Sequence, residues 1–261
     1  MELIPLGTNG YFPSYGRQTM SFLALAGGRA MLLDAGTGVS RLLEPRLASR
    51  LEGFDTLDVI LSHYHLDHVV GLSYLPAVWK GSKVRIFGPA PPVAEADPRS
   101  ALEALFRPPF FVKTMEAWSC EVEIVPVEGE EMDLGGLPVQ VRGQSHPGGS
   151  MGVRLGDGIA YLTDTSVDFS GLPLAMGVKV LLHEVWWTDE EAEAEGRTAG
   201  HSALSAVATF ARDARAGRLL VVHHHPKRTQ EEIEAIAERA AAIAGIPVSA
   251  PEEGVPLTVD G

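Results

Sequence analysis

Short apolar runs alternate along this chain with segments of helical period. Residues 2–7, 20–25 and 29–33 read as the first strands, with a turn at Gly27-Gly28. Strand patterns recur at 57–62, at 84–87 and around 121–125, 138–142, 152–155, 159–163, 179–182 and 218–222. Arg41 to Glu52 reads as a helix that Pro45 should break or start, and a proline-rich connection at 88–98 leads to a short helix near Ser100 to Phe106. Ser202 is expected to cap a helix over Ala203 to Ala214. Thr229-Gln230-Glu231-Glu232 is a capping box, opening a helix whose apolar face is Ile233, Ile236, Ala237, Ala240, Ile243 and Ala244, with Gly245 as its stop. Strands and helices that alternate without repeats or low-complexity tracts indicate an α/β chain.

The chemistry concentrates where one apolar run ends. Directly after residues 57–62 comes His63-Tyr64-His65-Leu66-Asp67-His68. His63 and His65, two apart on an extended segment, project to one side, while Asp67 and His68 follow where the backbone must bend. Two ligands aim one way and two another, which suits a pair of neighbouring ions better than one. Each ion needs three or four nitrogen or oxygen ligands at about 2.0 to 2.2 Å, so partners must come from elsewhere in the chain. Three candidates stand in similar places, each in or before a loop after an apolar run: His146, Asp164 and His223. Open sheets place chemistry at one edge in this way.

The pattern resembles the metallo-β-lactamase superfamily, in particular its ribonuclease Z and phosphodiesterase branch. Leu6-Gly7-Thr8-Asn9-Gly10 is similar to the opening glycine-rich turn, and Leu32-Leu33-Asp34-Ala35-Gly36-Thr37-Gly38 to the first motif. HYHLDH at 63–68 is similar to the second, Ser145-His146-Pro147-Gly148-Gly149-Ser150 to the third, Tyr161-Leu162-Thr163-Asp164-Thr165 to the fourth and Val222-His223 to the last, in matching order. Gly200-His201-Ser202 resembles the extra histidine motif of the ribonuclease Z branch. The resemblance implies a four-layer αββα sandwich spanning residues 1–261 as one domain. It also implies two divalent ions, one on His63, His65 and His146, the other on Asp67, His68 and His223, with Asp164 bridging them. Zinc is the default metal, with manganese and iron as alternatives for such ligands. Asp34 would orient a ligand without touching metal.

Two divalent ions set against two aspartates and a hydroxide leave about +1, which a phosphodiester monoanion neutralises. Metal coordination brings the pKa of water to about 7, so a metal-bridging hydroxide is the expected nucleophile. Asp67, His201 and Glu184 are the candidate catalytic residues. His201 is suited to donating a proton or hydrogen bond to the leaving oxygen. His183-Glu184, at the end of another apolar run, is a candidate for orienting a ligand or moving a proton. His224 and His225 are expected to flank the metal ligand without binding, and Arg154 to lie on a solvated strand face.

Composition narrows the substrate. The 261 residues are 45% hydrophobic and 21% charged, ordinary for a globular chain, and no apolar run approaches the length of a membrane span. Glu2, with no basic region ahead of an apolar core, argues against a secretory signal, and the lone Cys120 fits a cytoplasmic protein with nitrogen and oxygen metal ligands. A net charge of −13 opposes long nucleic acids, which bind through cationic counterion release, and no long basic arm is present in the sequence. The expected substrate is a small or short nucleic-acid-derived phosphodiester. Rival readings are a lactone, thioester or β-lactam hydrolase using the same metals, and a non-catalytic metal carrier or cofactor-assembly protein. Residues 88–118, with Phe106, Pro108, Pro109, Phe110, Phe111 and Trp118, are expected to roof the cleft or stack on a base, to pack at an edge or to form a homo-oligomer contact.

Overall fold

The computed structural model describes residues 1–196 and 200–259. Strands β1 (Glu2–Gly7), β2 (Ser21–Ala26), β3 (Arg29–Leu33), β4 (Thr56–Ile60), β5 (Lys83–Pro89) and β6 (Glu121–Val127) form one sheet. Strands β7 (Glu131–Asp133), β8 (Pro138–Gln144), β9 (Ser150–Leu155), β10 (Ile159–Leu162), β11 (Val180–Glu184), β12 (Arg218–Val222) and β13 (Val248–Ser249) form the other, and β14 (Leu257–Thr258) returns to pair beside β1. Strands β3 to β6 run parallel in the first sheet and β10 to β13 in the second, while the remaining neighbours are antiparallel.

Alternation of side chains along the strands divides the apolar residues between two faces. Leu3, Phe22, Met31, Leu33 and Ile60 meet Val153, Ile159, Tyr161, Leu182, Leu220 and Val222 between the sheets. Leu57 and Val59, the other face of β4, pack outward under Val39, Leu42, Leu72 and Leu75. On the second sheet Leu181, Leu219 and Val221 lie under Val207, Phe210, Ile236 and Ala240 from the helices Leu204–Asp213 and Gln230–Ala244. This is the four-layer αββα sandwich, with a buried core between each pair of layers.

Several local expectations change. The segment 41–52 is not one helix: a 3-10 stretch over Thr37–Leu43 gives way to a helical turn at Pro45–Ala48 and another 3-10 turn at Ser49–Leu51. Pro45 has no N–H to continue the first stretch and sits at the start of the next, after an extended Glu44. Asp97 caps a helix over Pro98–Leu105 by accepting from Ser100 N. Ala203, not Ser202, is the cap of the Leu204–Asp213 helix; the Ser202 hydroxyl instead donates to Thr165 O. The Thr229 capping box and the Gly245 stop form as read, but Ile243 is 37% exposed and lies off the buried face. Arg154 is no free solvated arm, since it donates to Gly156 O, Leu174 O and Met176 O.

The topology decides where chemistry can sit. Strands β3, β4, β10, β11 and β12 end at one edge of the sandwich, so the residues that follow them converge. β8 is antiparallel to β9, which is antiparallel to β10, so β8 ends at that edge too.

Candidate metal centre

Three of the convergent residues adopt backbone that strands do not use. Asp34, Asp164 and His223 have φ of 57°, 49° and 51°, the left-handed region that disfavours side chains. Each lies one or two residues past a strand end, and the reversal turns its side chain back across the edge. A loop laid against the cluster is equally constrained: a Cβ on Gly10 would stand 2.4 Å from the His223 ring, so only glycine fits there.

Hydrogen bonds set the imidazole tautomers. Asp34 Oδ1 accepts from Ser62 N at 2.6 Å, and Oδ2 accepts from Ser62 Oγ at 2.7 Å, Tyr161 OH at 2.7 Å and His68 Nδ1 at 2.8 Å. His68 therefore carries its proton on Nδ1 and turns Nε2 into the pocket. The Ser62 hydroxyl gives its one proton to Asp34, so it accepts from His63 Nδ1 at 3.0 Å and leaves His63 Nε2 facing inward. His146 Nδ1 donates to Gly200 O at 3.1 Å, and its Nε2 lies 3.2 Å from His65 Nδ1. A Cβ on Gly149 would meet Val93 O at 2.0 Å, a close approach that pins the His146 loop to the 88–98 connection.

Asp164 stands at the middle. Its Oδ1 is 3.9 Å from His63 Nε2 and 3.6 Å from His146 Nε2, while Oδ2 is 3.2 Å from both His68 Nε2 and His223 Nε2. Asp67 Oδ2 lies 3.3 Å from His68 Nε2 and 3.7 Å from His223 Nε2. None of these approaches is a hydrogen bond, and His63 Nε2, His68 Nε2 and both ring nitrogens of His223 are buried without a partner. Buried polar atoms are rarely left so, and this many lone pairs aimed at one space suits cations. His63, His65 and His146 bring ligand atoms within 4.8 Å of one another, as do His63, His68 and Asp164, and Asp67, His68 and His223. The nitrogen and oxygen donors fit a divalent ion such as zinc, manganese or iron.

The electrostatics carry the same signature. Burial opposes ionisation of Asp164, yet His223, His68 and His63 around it outweigh burial and hold its carboxyl well below the ordinary range. Burial also opposes charge on His68 and His223, but Asp164 and the other carboxylates raise His68 well above its usual value and His223 to about 10. Burial, followed by the field of His68, pushes His63 well down.

Glu184 and His201 form a second feature at the pocket's side. Glu184, fully buried, accepts from Thr165 N at 2.5 Å through Oε1 and from His201 Nδ1 at 2.8 Å through Oε2. Burial raises the Glu184 carboxyl, but its hydrogen bond from His201 is among the contacts that bring it below its ordinary value. The His201 ring stacks on Trp186 with centroids 4.5 Å apart and planes 13° from parallel, and lies 5.2 Å from the His146 ring. His183 is not brought to this cluster. One residue before Glu184 on β11, it points to the other face, packs 5.6 Å from Phe210 and bonds Nδ1 to Glu184 O at 2.9 Å. His224 is buried beside Thr8 and Arg17 in a separate cavity of about 890 Å³, and His225 packs on Trp186.

Sequence reasoning missed Ser62, Tyr161, Thr165 and Trp186 as site-builders. Ser62, Tyr161 and Thr165 had a signal, each being adjacent to or inside a motif; Trp186 had none. In the 88–118 segment Phe106 and Trp118 are buried, with Phe106 edge-on to Phe111 and Trp118, whereas Phe110 is 78% exposed. An apolar groove of about 290 Å³ runs between Tyr64 and Leu66 on one side and Ala101, Leu105 and Phe110 on the other.

This geometry agrees with the comparisons to known proteins. The profile of the family described as "Beta-lactamase superfamily domain" matches residues 29–224. A ribonuclease Z of Bradyrhizobium sp. (strain ORS 278) is 47% identical over a local stretch of 72 residues, 27% of this chain and 23% of that enzyme. A ribonuclease Z of Pyrobaculum arsenaticum is 29% identical over 264 aligned positions, covering 88% of this chain and 89% of that one. The crystal structure of the metallo-beta-lactamase fold protein YhfI from Bacillus subtilis superposes with a TM-score of 0.76 at 20% identity, over 98% of this chain and 99% of that one. The chain belongs to the beta-lactamase superfamily. It is a hydrolase of the metallo-β-lactamase fold, related to the ribonuclease Z enzymes, in a superfamily whose members use divalent metals. Among the described residues, no helix is long and apolar enough to cross a membrane.

Proposed function

We propose that this hydrolase is a dinuclear phosphodiesterase acting on small or short nucleic-acid-derived phosphodiesters. The observation that carries the reading is the pair of opposed faces of Asp164, Oδ1 toward His63 and His146 and Oδ2 toward His68 and His223, where the inward nitrogens of His63, His68 and His223 have no partner. In this reading His63, His65 and His146 would hold one ion and Asp67, His68 and His223 the other, with Asp164 available to both. When bound, two divalent ions supply a nucleophile at neutral pH and offset charge on the phosphoryl oxygens. Asp34, through Ser62, Tyr161 and His68, keeps the ligand rings oriented.

His201 completes the chemistry. Its Nδ1–H is committed to Glu184, which leaves Nε2 on the opposite ring edge to give a proton to the departing alkoxide. Hydrolysis forms a bond from water oxygen to phosphorus and breaks the bond to the leaving oxygen, and that oxygen is the atom His201 protonates. Glu184 holds the tautomer and stabilises charge on the ring. Carboxylic ester hydrolysis would need the same metals, but a monoanionic phosphodiester matches the residual positive charge of the filled site. The net charge of −13 supports small or short substrates over long polymers.

Side-by-side assays test the reading. Protein loaded with zinc or manganese should hydrolyse bis(p-nitrophenyl) phosphate and leave a panel of lactones, thioesters and β-lactams nearly untouched, with metal analysis giving about two ions per chain. Faster turnover of any carboxylic ester would replace the substrate class, and fully metallated protein inert to both ester types would point to a carrier.

A further inference from the structure

The loop joining β1 to β2 reaches the metal pocket. Tyr11 N donates to Asp67 Oδ2 at 2.6 Å, and Gly10 lies against the His223 ring. The loop is braced from within and below: Asn9 Nδ2 donates to Ser14 Oγ at 2.8 Å, Arg17 Nε to Asn9 Oδ1 at 2.8 Å, Ser14 Oγ to Pro226 O at 2.5 Å and Arg17 Nη2 to Arg228 O at 2.5 Å. On this braced frame two large rings face solvent. Tyr11 is 71% and Phe12 44% exposed, their centroids 5.2 Å apart with planes at 60°.

The arrangement does little for the fold. Aromatic side chains contribute to stability mainly by leaving water, and these two remain in it. Tyr11 also holds a φ of 65°, a conformation unfavourable for any residue with a side chain. Exposed aromatics on a loop that meets a cation pocket, one of them on strained backbone, are what a substrate would use. An edge-to-face pair of rings this exposed leaves a ring face open, and a braced loop loses little freedom when something flat settles on it.

We propose that Tyr11 and Phe12 form a stacking platform for a nucleobase carried by the phosphodiester cleaved at the neighbouring site. The proposal rests on the phosphodiesterase reading above and adds the substrate's second determinant. The metal pocket selects the phosphate by charge, and the platform selects a nucleoside over an alkyl group while tolerating any base, because every base has a π-face. Two rings can hold one or two bases, in keeping with short substrates.

The test compares two diesters with the same p-nitrophenolate leaving group, thymidine 5′-p-nitrophenyl phosphate and methyl p-nitrophenyl phosphate, on metal-loaded enzyme. For Tyr11→Ala the KM of the thymidine diester should rise about tenfold, with kcat and both constants for the methyl diester within about twofold of wild type. Phe12→Ala should act in the same direction, and Tyr11→Phe should restore wild-type behaviour. Equal losses on both diesters would mean that the loop merely supports Asp67, and would overturn the proposal. It would also fall if Phe110→Ala, on the groove beside Leu66, moved the thymidine KM while Tyr11→Ala did not. Calorimetric titration with thymidine 5′-monophosphate and ribose 5-phosphate gives a readout without turnover: wild type should prefer the nucleotide, and Tyr11→Ala should lose that preference. If wild type cleaves neither diester, the phosphodiesterase reading has failed, and this titration alone decides the platform; no preference in wild type sinks it.

Discussion

Asp164 and Asp58 are both buried carboxylates on this sandwich, 2% and 1% exposed, and they could hardly be used more differently. Asp58 lies inside β4 with its neighbours already in place: Oδ2 accepts from Arg29 Nη1 at 2.9 Å and Oδ1 from Arg85 Nε at 2.6 Å. The long arginine stems come from the adjacent strands β3 and β5 and close the charge on itself. Asp164, on a left-handed turn past β10, accepts one local bond, from Thr163 Oγ1 at 2.7 Å, and otherwise faces imidazole nitrogens that do not bond to it. Burial of a charge is therefore no mark of a site. Unmet lone pairs pointing at one space are, because the fold accepts their desolvation cost only where something else will meet them.

Substitutions can break that contrast. Asp164→Ala should remove bound metal and lower phosphodiester turnover by about ten-thousandfold or more, since the chemistry that metal supplies goes with it; inductively coupled plasma analysis beside the rate checks both. Glu184→Gln should leave metal content intact and cost about a thousandfold in kcat, with Glu184→Gln and His201→Ala together little worse than either alone. Additive losses in that pair would mean that Glu184 does not act through His201. Asp58→Asn should do the reverse, removing about 3 kcal/mol of stability in a denaturant titration, because two arginines lose their counter-charge, while turnover per folded molecule stays unchanged. Asp34→Ala should weaken metal affinity about ten- to a hundredfold, read by chelator competition, with Tyr161→Phe smaller in the same direction.

The smallest effect concerns pH. Burial lowers the His183 pKa below its ordinary value, so the folded chain keeps this ring neutral where the unfolded chain would take up a proton. Stability from this residue is thus present above the unfolded value near 6.5 and is lost as pH falls from there toward its depressed folded value. His183→Gln should flatten that part of the melting-temperature profile between pH 7.5 and 5.5 without changing the acid limb of kcat.

Much of this was legible beforehand, and what was not has a common cause. The strands, the HYHLDH segment and the Thr229 capping box are local patterns, set by residues within a few positions of each other. The helix expected over 41–52 failed because Pro45 restarts the chain in short turns, and Ser202 was misread as a cap because its hydroxyl had a distant acceptor in Thr165 O. Glu184 could be named from sequence as a proton-transfer candidate, but its partner could not: His201 lies seventeen residues away, and the register of β11 beside β10 and β12 decides that Glu184 faces the pocket and His183 does not.

From the amino acids alone came the kinds of donor, the order of the motifs and the alternation of strands and helices, because side-chain chemistry and hydrophobic period are properties of short stretches; the four layers were implied by the family resemblance of those motifs. Only the folded chain decided that Asp164 presents one oxygen to each group of histidines, that Asp34 orients His68, and that Tyr11 and Phe12 stand in water at the pocket's edge. Those facts depend on where strand ends meet in space and on three left-handed turns there, and such turns are stabilised by contacts across the whole sandwich, not by the residues that make them.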